Sequence, residues 1–131
     1  MDQYQIPENL KYTKEHEWVR IDGPLAVVGI TDYAQQQMGD ITYVDLPEVG
    51  RRVAQMGELC TIESVKVAAE VYSPLTGLVA ETNSELGEHP EWLNQDCYGR
   101  GWLVKLQDID SAEIKDLMEA GAYQTFLAQG A

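Results

Sequence analysis

At 131 residues the chain has the size of one domain and can bury a single core without disulfide or metal staples. Hydrophobic residues make up 44% and charged residues 24%, as in a soluble globular protein, but nine basic side chains face 22 acidic ones for a formal net charge of −13. That imbalance disfavours nucleic acid and an acidic membrane leaflet, which are bound through lysine and arginine, and it steers the protein toward basic patches on other proteins as well as keeping it soluble.

After a polar lead-in, residues 17–21 and 25–31 read as strands, with Asp22-Gly23 between them as a hairpin signal. Residues 31–39 change character. Thr31 or Asp32 can cap a helix start, alanine and glutamine favour helix, and Gly39 can close it. Residues 41–46 return to strand and Pro47 stops it. Two β-prone runs, 59–65 and 67–72, then meet at Lys66, bracketed by Gly57 and by Pro74 and Gly77. Residues 77–82 form another strand, 83–101 an acidic irregular stretch, and 102–106 a late strand. From Ser111, a natural N-cap, the pattern turns helical, with Ile114, Leu117 and Met118 on one face; Gly121 interrupts it before a last helical turn over 122–128. The expected fold is mainly β, a barrel-like or sheet-on-sheet core over about 10–108 with a short inserted helix and a helical tail over about 111–128. No linker divides it, so residues 1–131 read as one domain.

Lys66 stands out because it is a cation between Val65 and Val67 at the point where two strands must turn. A lysine held out on a hairpin tip can enter another enzyme's site without the domain unfolding. Elsewhere the chain offers no nucleophile with a matching base, no glycine-rich phosphate loop and no acids paired at a catalytic spacing, so an enzyme is not expected. Cys60 and Cys97 are the only two cysteines and neither has a Cys or His neighbour at metal-ligand spacing. Cys60 reads as a small apolar core residue and Cys97 as inert. His16, beside Trp18, reads as a packed, satisfied side chain and His89 as exposed, while Trp18, Trp92 and Trp102 read as core-filling rings. The N-terminus lacks a basic start and apolar run, and the longest apolar stretches, such as 25–30, are too short to span a bilayer. These features suggest a reducing compartment, most simply a bacterial cytoplasm.

The segments on either side of Lys66 are rough mirrors, with Gly50, Val53, Gly57 and Glu63 before it and Val71, Ser73, Pro74, Gly77 and Val79 after it. This resembles the swinging-arm carriers, the lipoyl and biotinyl domains, whose modified lysine sits in the hairpin between two half-motifs of a flattened β-barrel. Biotinyl domains carry methionines beside that lysine, whereas Val65 and Val67 fit the lipoyl class. The blocks Tyr12-Thr13-Lys14-Glu15-His16-Glu17-Trp18-Val19, Gly29-Ile30-Thr31-Asp32-Tyr33-Ala34-Gln35 and Val44-Asp45-Leu46-Pro47-Glu48-Val49-Gly50 narrow the likeness further. With Tyr98-Gly99-Arg100-Gly101-Trp102 they resemble the H proteins of the glycine cleavage system from about residue 10 to 123.

The resemblance implies a carrier without turnover of its own, with lipoic acid in amide linkage to Lys66. The implied partners are a lipoyl or octanoyl transferase or ligase, a pyridoxal-phosphate glycine decarboxylase, a folate-dependent aminomethyltransferase and a flavin dihydrolipoamide dehydrogenase. Glu63 would identify or position the lysine for attachment. Glu17 and Glu70 would line the cleft that shelters an aminomethyl-loaded arm, with Glu70 standing where relatives often carry aspartate. Cys97 replaces a proline usual in relatives. Two other readings stay open: a lipoate depot or cofactor holder for another pathway such as sulfur oxidation, and an unmodified interaction module. The protein is expected to act as a monomer.

Overall fold

The computed structural model describes residues 4–130. Its strands are β1 (Lys11–Tyr12), β2 (Glu17–Asp22), β3 (Leu25–Ile30), β4 (Ile41–Asp45), β5 (Arg52–Val53), β6 (Glu58–Ser64), β7 (Ala68–Tyr72), β8 (Gly77–Thr82) and β9 (Val104–Gln107). The helices are α1 (Asp32–Met38), α2 (Trp92–Gln95) and α3 (Ala120–Ala128), with 3-10 turns at Ser84–Gly87 and Ser111–Asp116. A six-stranded sheet runs β1-β2-β3-β9-β8-β5 and a three-stranded sheet runs β4-β6-β7, with antiparallel pairing throughout. The expected mainly-β class is present. It takes the expected flattened barrel-sandwich form, with two sheets that do not close into a continuous barrel.

Strand parity explains how the chain fills this frame. In β3, Ala26, Val28 and Ile30 enter the main core between the sheets, while Val27 enters a second cluster with Leu10, Tyr12, Trp18, Ala120 and Tyr123. A strand buried on both faces reads as a continuous apolar run, as residues 25–30 do. In β2, Val19 joins the main core and Trp18 the second cluster. Opposite Trp18 in the ladder stands Gly29, where a Cβ would lie 2.6 Å from the indole ring. Glu17 shares the parity of Val19, so its carboxyl also points inward, which leaves it 1% exposed.

Several boundaries depart from expectation. The stretch 83–101 is not irregular throughout. Its 3-10 turn and α2 hang on Leu86 and Leu93, both fully buried, and four-residue helices are too short to show periodicity in a sequence. The segment from Ser111 is a 3-10 turn rather than an α-helix, and its cap is Asp110, whose carboxylate accepts from the Ala112 N–H. The helix cannot run on because Met118 is drawn into an extended bridge with Tyr12, each backbone N–H donating to the other's carbonyl at 2.8 Å. Gly121 does not interrupt α3; it lies in the first turn, between the buried anchors Ala120 and Tyr123. Strand β9 starts at Val104 rather than residue 102, and β4 ends at Asp45 rather than 46. The two-residue strands β1 and β5 are too short for alternation to announce them.

Candidate functional site

The β6–β7 ladder ends with Glu63 opposite Ala68, and Lys66 lies exposed in the turn beyond it. Ser64 builds that turn. Its hydroxyl donates to the Val67 carbonyl at 3.2 Å and accepts from the N–H groups of Lys66 and Val67 at 3.2 and 3.1 Å. The Ser64 N–H also donates to the Val67 carbonyl at 2.8 Å. A serine bonding the backbone two and three residues on is a turn former, and that signal in Glu63-Ser64-Val65-Lys66 is the one that sequence reading passed over.

The turn is pinned to the rest of the molecule through α1. The Val65 N–H donates to the Asp40 carbonyl at 3.0 Å. Thr31 caps α1 as expected, accepting from the Ala34 N–H at 3.2 Å, and Gly39 closes it at φ 76°. Asn94 of α2 clamps this end: its amide donates to the Gly39 carbonyl at 2.8 Å and to Gln35, and its carbonyl accepts from the Ile41 N–H at 2.9 Å. The lysine stem crosses Gly39, where a Cβ would stand 3.2 Å from Lys66 Cε. Among the described residues no acid pairs with Lys66 Nζ. The amine is therefore exposed, unpaired and carried on a fixed turn, and that geometry fits an acyl group attached through a long arm.

The three acids singled out with Lys66 occupy different settings. Glu63 is exposed, with its backbone carbonyl accepting from the Thr42 hydroxyl at 3.2 Å. Glu70 is exposed on the outer face of the small sheet and accepts from the Thr61 hydroxyl at 3.2 Å. It lines an open pocket of about 140 Å³ together with Asp45, Arg51, Cys60 and Thr61. Glu17 is not among that pocket's lining residues. Its carboxylate accepts from the Thr13 hydroxyl at 2.5 Å and from the Tyr72 N–H at 3.0 Å, and burial pushes its pKa up to about 7 against the pull of those hydrogen bonds. The structure thus does not bring Glu17 and Glu70 into contact. Cys60 lies close enough to feel both charges.

Burial, with the neighbouring acids, pushes the Cys60 thiol up to about 12, and burial does the same at Cys97. Neither is a thiolate near neutral pH, and Cys60 packs in the main core as expected. His16 is packed as expected: its Nδ1 lies 2.8 Å from the Tyr123 hydroxyl, its ring packs at a tilt against Tyr33 with centroids 4.5 Å apart, and burial lowers its pKa. His89 is not simply exposed; it stacks on Trp92 at 4.5 Å and meets Glu91 at 3.1 Å. Trp18 fills the core, but Trp92 and Trp102 are half-buried and carry Arg100 and Lys105 over their rings. Among the described residues no helix is long and apolar enough to cross a membrane.

Known proteins resemble this chain in sequence and in fold. The profile of the family described as "Glycine cleavage H-protein" matches residues 10–130. The glycine cleavage system H protein of Thermotoga maritima is 53% identical over 119 residues, covering 91% of this chain and 96% of that protein. That of Symbiobacterium thermophilum is 46% identical over 125 residues, covering 95% and 98%. The crystal structure of a glycine cleavage system H protein from Mycobacterium marinum superposes with a TM-score of 0.85 at 32% identity, covering 94% of this chain and 99% of that one. With a profile match over nearly the whole chain, relatives near half identity and a shared fold, the protein belongs to the glycine cleavage H-protein family.

Proposed function

We propose that this protein is the lipoyl carrier of a glycine cleavage system, with the lipoyl group in amide linkage to Lys66. The observation that supports this most directly is the exposed, unpaired Lys66 amine on a turn held rigid by Ser64 and Asp40. Held on Lys66, the group would supply the disulfide–dithiol chemistry on which the aminomethyl carbon of glycine is carried. The carrier performs no turnover itself and works in the cytoplasm as a monomer. Its partners are a pyridoxal-phosphate glycine decarboxylase, a folate-dependent aminomethyltransferase, dihydrolipoamide dehydrogenase and a lipoyl or octanoyl transferase or ligase.

The chain's own residues have separable tasks. Ser64 and Asp40 fix where the arm starts, so that its free end samples a limited volume and reaches high effective concentration at each partner's site. Glu63, next to the turn, marks the lysine for the attaching enzyme. Glu70 offers an exposed carboxylate to a protonated amine on the cargo, a charge-assisted partner beside the pocket it lines. Glu17, buried and hydrogen-bonded to Thr13 and Tyr72, is the second acid assigned toward that amine, and an ammonium brought near it would favour its ionised form.

Replacing Lys66 by arginine tests the assignment. The side chain is exposed, so the fold is retained, while a guanidinium does not form the amide. Glycine-dependent formation of methylene-folate, reconstituted with the partner enzymes, is expected to stop with Lys66→Arg. Wild-type rates from that variant would move the arm to another residue.

A further inference from the structure

The small sheet and its lysine turn carry exposed apolar side chains that the fold does not bury. Tyr43 pairs with Glu63, and Glu63 with Ala68, so one row runs across β4, β6 and β7 beside the turn. Tyr43 is 52% exposed, and its hydroxyl has no partner among the described residues. Val65 and Val67, 67% and 47% exposed, flank Lys66 in the turn at the end of that ladder. Glu63 lies in this row, and Glu63, Asp40, Asp45 and Glu70 are all exposed with none in an ion pair among the described residues. Strands β4, β6 and β7 contain no lysine or arginine, so Lys66 is the one cation of this sheet and its turn.

We infer that the Tyr43–Val65–Val67 face is the docking surface for the enzyme that acylates Lys66, an enzyme presenting an apolar contact rimmed by basic side chains. This rests on the reading of Lys66 as the attachment point. Reach singles out the occupant. A partner that works on the far end of a long arm can stand off from the sheet. The attaching enzyme must bring an activated acyl carbon to about 3–3.5 Å from Nζ itself. In that position it covers the neighbours of Lys66, and an exposed tyrosine such as Tyr43 is the kind of anchor that contributes most to an interface. In the reaction Nζ bonds to the carbonyl carbon of a medium-chain acyl adenylate or acyl thioester. The bond from that carbon to oxygen or sulfur breaks, and the proton lost by nitrogen passes to the departing group. The unpaired acids steer a basic partner toward the face and lose influence as salt rises.

The test measures acylation of the unmodified full-length protein by a purified lipoate–protein ligase with lipoic acid and ATP, followed by intact mass. Tyr43→Ser is expected to raise KM about tenfold while kcat stays within about twofold, the loss of one buried aromatic contact. Tyr43→Phe restores the wild-type KM, and Val49→Ser, at an exposed apolar site off this sheet, leaves it unchanged. Wild-type acylation with an unaltered KM for Tyr43→Ser overturns the docking face alone. A wild-type protein that gains no acyl group overturns the reading of Lys66 beneath it.

Discussion

Glu17 lies between the sheets with its carboxyl 1% exposed, and burial raises its pKa from 4.5 to about 7. The sign follows from proton counting. Between those two values the folded state binds more protons than the unfolded chain, so stability falls as pH rises from about 4.5 to about 7 and stays lower above. The size is on the order of 3 kcal/mol, at about 1.36 kcal/mol per pH unit. Glu17→Gln removes the ionisation and keeps the shape. Urea unfolding at pH 5 and pH 8 is expected to show the variant gaining on wild type as pH rises, and a difference independent of pH would contradict this. The inward parity of Glu17 follows from the β2 alternation. Its partners Thr13 and Tyr72 do not, because the Tyr72 contact spans 55 residues and depends on how the sheets stack.

The β6–β7 hairpin shows at the element scale what a single hydroxyl does. Ser64 accepts two backbone N–H groups and donates to one carbonyl. Ser64→Ala forfeits these and is expected to cost about 1 kcal/mol. The clearer sign is local: amide exchange at Lys66 and Val67 should quicken while β2 and β3 stay protected. Equal exchange in both proteins would mean that the Asp40 carbonyl and the ladder hold the turn alone. The hairpin itself was legible from two β-prone runs meeting at a lysine, and so was α1 from Thr31 and Gly39. The Asn94 clamp was not, since it joins residues 53 to 59 apart. The tail was misread for a related reason. The spacing of Ile114, Leu117 and Met118 suits a helix, but tertiary pairing of Met118 with Tyr12 overrides that local preference.

At the scale of the whole molecule, α3 is tied to the sandwich by Tyr123. Its ring stacks on Tyr12 at 4.7 Å, and its hydroxyl lies 2.8 Å from both His16 Nδ1 and Thr31 Oγ1. Since Thr31 caps α1, the tail, that helix and the lysine turn form one connected support. Tyr123→Phe keeps the ring and loses the hydroxyl, and a drop of about 1–2 kcal/mol in urea unfolding is expected. An unchanged midpoint would mean that stacking alone docks α3. The mainly-β class was legible because many short alternating runs leave few other architectures, while the open sandwich depends on strand orders set by contacts between distant residues. The central claim concerns one nitrogen. Intact mass and peptide mapping of the protein from a host able to lipoylate are predicted to show one lipoyl group, on Lys66. An unmodified chain, or the group on Lys11, Lys14, Lys105 or Lys115, would contradict the account.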